Sequence, residues 1–170
     1  MSTLNPLNFK QWIDENRHLL KPPIGNAVVY NDAEFMIMVV GGPNSRSDYH
    51  IDPAEEFFYQ IEGDMVLKVV ENGEFRDIRI REGDIFLLPA HVPHSPQRFS
   101  NTVGLVIERK RRDHEKDGLR WYCHECGQTL YEETFQLEDI TKDLIPVIER
   151  YRSDDDNQKC DQCGHVSPKK

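Results

Sequence analysis

Apolar residues in the middle of the chain come in short bursts broken by glycine, proline and asparagine, the punctuation of strands. Glu34 to Val40 is β-branched and aromatic until Gly41-Gly42-Pro43-Asn44 breaks it. Glu56 to Ile61 and Met65 to Val70 flank a turn at Glu62-Gly63-Asp64. Asn72-Gly73 signals a hairpin between Met65–Val70 and the alternating run Phe75–Ile80, since both residues accept the left-handed backbone of a two-residue turn. Arg81-Glu82-Gly83-Asp84 then leads into Ile85 to Ala90, and Val103 to Glu108 is a further buried strand. Ahead of these, Asn8 to Leu20 places Phe9, Trp12, Ile13, Leu19 and Leu20 at the spacing of a short amphipathic helix that stops before Pro22-Pro23. Many short strands behind one helix predict an all-β dominated fold, a jelly-roll barrel or closed sandwich.

The pattern changes at Asp113 to Gly118, a charged stretch that reads as a linker between a main domain, 1–112, and a small extension, 113–170. The extension is expected to hold a strand pair near Thr129 to Leu137 and a helix from about Leu137 to Tyr151. Asp139 is the expected cap, and Pro146 interrupts the pattern. Ser153 to Asp156 reads as a solvated acidic loop.

Charge narrows the partners. Thirty acidic against 21 basic residues give a net charge of -9, which argues against nucleic acid because phosphate binding needs a basic surface. The run Arg109-Lys110-Arg111-Arg112 is the local exception and reads as a solvated segment after a strand. The longest apolar run, Met36 to Val40, is too short to span a bilayer, and the N-terminus shows no export signal. The expectation is a cytoplasmic protein with no membrane partner, in which a disulfide framework is out of place. The four cysteines fall instead as Cys123-His-Glu-Cys126 and Cys160-Asp-Gln-Cys163. Two such pairs close a tetrahedral thiolate site for zinc or iron and leave no open position. Such a site staples a tail too small to bury its own core. His124 and His165 beside the pairs read as solvated.

A second metal site is drawn from two segments, His50-Ile-Asp-Pro-Ala-Glu-Glu56 followed by Gly63, and Gly83-Asp-Ile-Phe-Leu-Leu-Pro89-Ala-His-Val-Pro-His94. His50 and Glu56 can face one way along a strand bent near Pro53, with His94 arriving from a neighbouring strand. Two imidazoles and one carboxylate on one side of an ion leave its other positions open, which suits Fe(II) that must bind a substrate and dioxygen. Glu55 faces the other side of the strand from Glu56. The segments resemble the two cupin motifs, with two departures. Asp52 stands where the first motif has a second histidine, and His91 where the second has glycine. Asp52 is an alternative ligand, disfavoured by Pro53 after it and by the carboxylate Glu56 already supplies.

The resemblance extends over nearly the whole chain. GGPNSRSDYHIDPAEEFFYQIEGDM, REGDIFLLPAHVPHSPQR, LVIER, WYCHECG and KCDQCGH, in that order, look like the bacterial, two-metal 3-hydroxyanthranilate 3,4-dioxygenase family. The resemblance implies a cupin homodimer that converts 3-hydroxyanthranilate and O2 to 2-amino-3-carboxymuconate semialdehyde, on the kynurenine route to quinolinate. It places the Fe(II) ligands on His50, Glu56 and His94, the substrate-site arginines on Arg46 and Arg98, and an acidic partner on Glu108. A pocket-lining residue falls on Asn26, and the second, structural metal on Cys123, Cys126, Cys160 and Cys163.

The chemistry gives these positions roles. The substrate carboxylate needs a cation in a poorly hydrated pocket, and Arg98 offers a forked pair of donors. Glu108 can accept a proton or hydrogen bond from the amine or hydroxyl. Arg46 can lie beside the oxygen position and stabilise negative charge there. Without the resemblance, Arg46 in NSRSD reads as a solvated loop residue, and Arg98 and Glu108 as partners of each other or of surface charges. The competing expectations are a cupin dioxygenase for another small anionic aromatic and a non-catalytic, metal-stabilised cupin binding module.

Overall fold

The computed structural model describes residues 4–22, 25–30, 33–139 and 142–168. Pro23, at the expected end of the first helix, and Ile140 and Thr141, inside the expected second helix, lie outside them. Helix α1 is Phe9–Asn16, capped by the Asn8 side chain accepting from the Gln11 amide at 3.0 Å, a bond worth about 1 kcal/mol. A 3₁₀ turn, Arg17–Leu20, completes the expected segment.

Eleven strands follow among the described residues: β1 Asn26–Tyr30, β2 Phe35–Gly41, β3 Tyr49–Ile51, β4 Glu56–Glu62, β5 Met65–Glu71, β6 Glu74–Ile80, β7 Ile85–Leu88, β8 His94–Arg98, β9 Val103–Arg109, β10 Asp117–Tyr122 and β11 Thr129–Phe135. They form a five-stranded sheet in the order β1-β2-β9-β4-β7 and a six-stranded sheet in the order β11-β10-β3-β8-β5-β6. The β5–β6 hairpin turns at Asn72 and Gly73 with φ of 53° and 82°, the left-handed pair its sequence requires.

The inner faces of the two sheets enclose the main core of Met38, Phe58, Met65, Leu67, Val69, Ile80, Leu88 and Val106. Strand alternation sets what else lies inside. On β4, Glu56, Phe58 and Gln60 are buried, while Tyr59, and Glu55 just before the strand, are exposed. In register with them on β9 stand Glu108, Val106 and Gly104. A Cβ on Gly104 would sit 2.5 Å from Arg98 Nη1 and 2.9 Å from Gln60 Oε1, so glycine is what leaves room for that guanidinium. Outside the barrel, Ile13 and Leu20 pack on Ala27, Val39 and Val103.

The C-terminal segment differs from its expected layout. The strand pair straddles the first CxxC, because the partner of β11 is β10 and not a second strand within Thr129 to Leu137. Asp117 and Gly118, expected in a linker, are both buried in β10, which pairs with β3 and so extends the six-stranded sheet. Asp-Gly is a turn signal that sheet pairing has overridden here. Helix α2 is Leu144–Ser153, later than expected. Its N-cap position is Asp143, not Asp139, and the Asp143 carboxylate accepts from the amides of Glu138 and Asp139 at 2.7 Å each, fixing a turn before the helix. Pro146 falls in the first helical turn, where an N–H would have had no intrahelical partner, so it interrupts nothing. α2 packs through Val147 and Tyr151 on Leu119 and Trp121, and the Trp121 and Tyr151 rings stack at 4.2 Å. No helix among the described residues is long and apolar enough to cross a membrane.

Candidate active site

His50, Glu56 and His94 are buried, and each presents one ligand atom within 4.8 Å of the others. They come from three strands. His50 and His94 are direct cross-strand partners on β3 and β8, while Glu56 faces them from β4 in the opposite sheet. The expectation that His50 and Glu56 share one bent strand is thereby corrected, since residues 52–55 carry the chain from one sheet to the other. His91, within the second motif, has φ 64°, the left-handed backbone that favours glycine, and its amide donates to the Asp52 carbonyl at 2.7 Å.

Each imidazole is held by the nitrogen turned away from the cluster. His94 Nδ1 lies 3.0 Å from the Val92 carbonyl, and His50 Nε2 lies 2.7 Å from Asp117 Oδ2. A ring nitrogen facing a carbonyl must carry the proton, so His94 Nε2 is left with a lone pair 2.9 Å from Glu56 Oε2. No donor is aligned on that buried oxygen. Two apposed lone pairs call for a cation, and two ligands bound to one ion at ~2.1 Å and a right angle stand ~3 Å apart. The residues therefore fit a metal ion.

A cavity of about 410 Å³ opens on these ligands, and Asn26, Arg46 and Arg98 line it. Arg98 shares a face of β8 with His94, and only 3% of it is exposed. Its Nη1 donates to Gln60 Oε1 at 3.3 Å, and its backbone is latched by Asn44, which accepts from the Arg98 amide and donates to the Pro96 carbonyl. Burial pulls the Arg98 guanidinium down to about 10, with Glu56 offsetting part of the effect. Arg46 is half-buried and ion-paired with the buried Asp48, not solvated. Glu108 does not line the cavity. It stands beside Glu56 across the β4–β9 pair and reaches Arg111 Nη1 at 2.6 Å, so it pairs with neither Arg98 nor a surface charge.

Arg111 is the largest correction to the reading of the sequence. It belongs to the run expected to be solvated, yet only 2% of its side chain is exposed. Its Nε and Nη2 fork onto Asp117 at 2.8 and 2.6 Å, and Nη2 also lies 2.9 Å from Asp52 Oδ2. Asp52 is thereby turned away from the metal cluster, and its Oδ1 accepts from the Ala54 amide at 2.6 Å. Burial and the neighbouring Glu108 push the Asp52 carboxyl up to about 9 against the pull of Arg111. Asp117, Arg111, Gln60 and Asn44 were not singled out from sequence. The one signal available was the isolated Asp-Gly inside an otherwise strand-like DGLRWY.

The four cysteines also converge. Cys123 Sγ lies 3.6 Å from Cys163 Sγ and Cys126 Sγ 3.5 Å from Cys160 Sγ, close to the ~3.8 Å edge of a tetrahedron with ~2.3 Å metal–sulfur bonds. Both loops repeat one backbone pattern: the Gly127 amide donates to the Cys123 carbonyl, and the Gly164 amide to that of Cys160. His124 is exposed and His165 half-buried, and neither joins the cluster.

Comparison with known proteins agrees with this arrangement. A solved structure from Neisseria meningitidis superposes with a TM-score of 0.50 at 20% identity, covering 62% of this chain and all of that one, which supports the two-sheet β fold. A cupin-2 domain protein of Shewanella frigidimarina gives a TM-score of 0.48 at 15% identity, over 58% of this chain and 92% of that one. Two curated relatives named 3-hydroxyanthranilate 3,4-dioxygenase are far nearer in sequence. That of Ruegeria pomeroyi is 53% identical and that of a Jannaschia species 54%, each match covering all of this chain and 95% of the relative. The profile of the family described as 3-hydroxyanthranilic acid dioxygenase matches residues 1–152. By that match and by these relatives, the chain belongs to the 3-hydroxyanthranilic acid dioxygenase family.

Proposed function

We propose that this chain is an iron-dependent dioxygenase that opens the ring of 3-hydroxyanthranilate, placing both atoms of O2 in 2-amino-3-carboxymuconate semialdehyde. The observation that carries this reading is one cavity shared by the His50, Glu56 and His94 cluster and the buried Arg98, in a chain of this family. Fe(II) held by His50, Glu56 and His94 would supply open positions for the aminophenol group and for dioxygen.

The protein's own residues orient and neutralise. Arg98, fixed by Gln60 and by the Asn44 latch, binds the substrate carboxylate with a forked pair of donors. Arg46, aligned by Asp48, sets positive charge at the other side of the cavity beside the oxygen position. Asn26 contributes a polar contact at the wall. Glu108, beside Glu56 and outside the cavity lining, takes up the proton released from the amine or hydroxyl through an intervening group, without touching the substrate.

Residues 1–112 form the catalytic cupin, and 113–170 an extension folded around iron or zinc at Cys123, Cys126, Cys160 and Cys163. The protein acts in the cytoplasm, where those thiols stay reduced. Two copies pair through the outer face of the five-stranded sheet, where Phe35, Tyr59, Ile85 and Leu87 are exposed.

Four measurements test this reading. Protein reconstituted with Fe(II) should take up oxygen stoichiometrically with 3-hydroxyanthranilate and yield the semialdehyde. Glu56→Ala should lose that uptake by more than about 100-fold. Bound iron without turnover would remove the substrate assignment. Gly104→Ala, whose new methyl displaces Arg98, should raise KM about tenfold, the equivalent of ~1.4 kcal/mol, with the iron content unchanged. An unaltered KM would take the carboxylate away from Arg98. Cys160→Ser should cost one metal ion per chain by elemental analysis and lower both the melting midpoint and kcat. A variant that melts and turns over like the parent would reduce the extension to an appendage. Light scattering should return twice the chain mass, and a monomer would refute the pairing.

A further inference from the structure

Arg111 has no place in the chemistry just described, yet three buried carboxylates lie within 2.9 Å of its guanidinium. Nε and Nη2 donate to the two oxygens of Asp117. Nη1 lies 2.6 Å from Glu108 Oε2 as an ion pair without an aligned hydrogen bond. Asp117 Oδ2 is the same oxygen that lies 2.7 Å from His50 Nε2. Beyond Asp117 is therefore the imidazole of a proposed metal ligand, and Glu108 is itself the proposed proton acceptor. The backbone supports this geometry. Arg111 Nη1 also donates to the Arg109 carbonyl at 3.0 Å, which anchors the side chain to the end of β9.

We propose that Arg111 is a positioning residue that holds the His50 imidazole, through Asp117, and the Glu108 carboxylate in one rigid frame. The proposal deepens the function set out above and rests on it. An arginine is required because its fork fixes Asp117 through two donors while the same rigid group keeps its charge against Glu108. A lysine at 111 would keep the charge and lose that fork. Asp117 arrives on β10 from the extension and Glu108 on β9 from the cupin, so the guanidinium also joins the two parts at the site. A carboxylate behind a ligating histidine fixes its tautomer and ring orientation, and loss of such a partner costs about 10–100-fold in activity or metal affinity.

The test uses the full chain loaded with Co(II) for spectroscopy and with Fe(II) for kinetics. Paramagnetic proton NMR of the cobalt form should show two shifted signals that exchange with deuterium, one from each ligand imidazole N–H. Asp117→Asn should move one, assigning it to His50, and leave that of His94, held by the Val92 carbonyl. Arg111→Lys should move the same His50 signal, spare that of His94, retain cobalt, and lower kcat about tenfold or more with KM within threefold. Its loss in kcat should exceed that of Asp117→Asn, because Glu108 is released as well.

Arg111→Lys with parental kcat and an unmoved His50 signal overturns the proposal. So does a variant in which both signals shift together or cobalt is lost, since that is general damage to the site. If Arg111→Lys does not fold, Glu108→Gln decides. It should move the His50 signal through Arg111 alone, and an unmoved signal overturns the frame. A parent protein that fails to turn over 3-hydroxyanthranilate would sink the function proposed above, while the cobalt signals would still decide the role of Arg111.

Discussion

A charge taken out of water has to be matched where it lies, and that constraint shapes the interior between the two sheets. Arg111 is the main answer to it. Asp52, Glu108 and Asp117 lie within 2.9 Å of its nitrogens, and all four side chains are almost wholly buried. Removing one partner from such a buried set leaves a charge uncompensated, at about 3–5 kcal/mol. The strands are therefore held in the arrangement that brings β3, β9 and β10 to one point. That arrangement is what sets His50 opposite His94 and across from Glu56. Apolar packing of the main core gives the barrel its stability, but it does not by itself dictate which way an imidazole turns.

The same balance bears on what the cavity accepts. Arg98 is buried at the cavity wall and donates to the neutral amide of Gln60. A ligand carboxylate would match that guanidinium, whereas a neutral sugar would leave it without an anion in a site where an unpaired charge is costly. Family membership and interior electrostatics thus point to the same class of substrate by separate routes.

Local pattern carried most of the fold and the ligands. Short apolar bursts between turn residues located β2, β4, β5, β7 and β9 to within a residue or two, alternation located β6, and the Asn72-Gly73 turn fixed a hairpin. The two spaced motifs named His50, Glu56 and His94, and the paired CxxC spacing named the four cysteines that cluster. What stayed hidden depends on contacts distant in sequence. Arg111 sits among three other basic residues, and nothing local distinguishes it from Lys110 or Arg112, which are exposed or nearly so. Its burial follows from Asp52, Glu108 and Asp117 meeting in space. Likewise Asp117-Gly118 reads as a turn until β3 pairs with it.

The extension is consequently more than a metal-bound tail. β10 lies against β3, with Leu119 directly opposite His50 and Asp117 one turn of the alternation away from it. From Trp121 the strand runs into Cys123, so the first cysteine pair is anchored two residues beyond a ring that lines the active-site cavity. α2 then closes back on that strand through the Trp121–Tyr151 stack and places Leu144 and Ile148 at the cavity wall. A stapled segment of this kind gains its order from metal binding, because its own core is small. Order at the cysteines is thus converted, over one short strand, into the position of the carboxylate that holds His50. On the function proposed above, the cysteine cluster and the His50, Glu56 and His94 cluster are linked through one strand, β10, which carries Asp117 near one end and runs into Cys123 at the other.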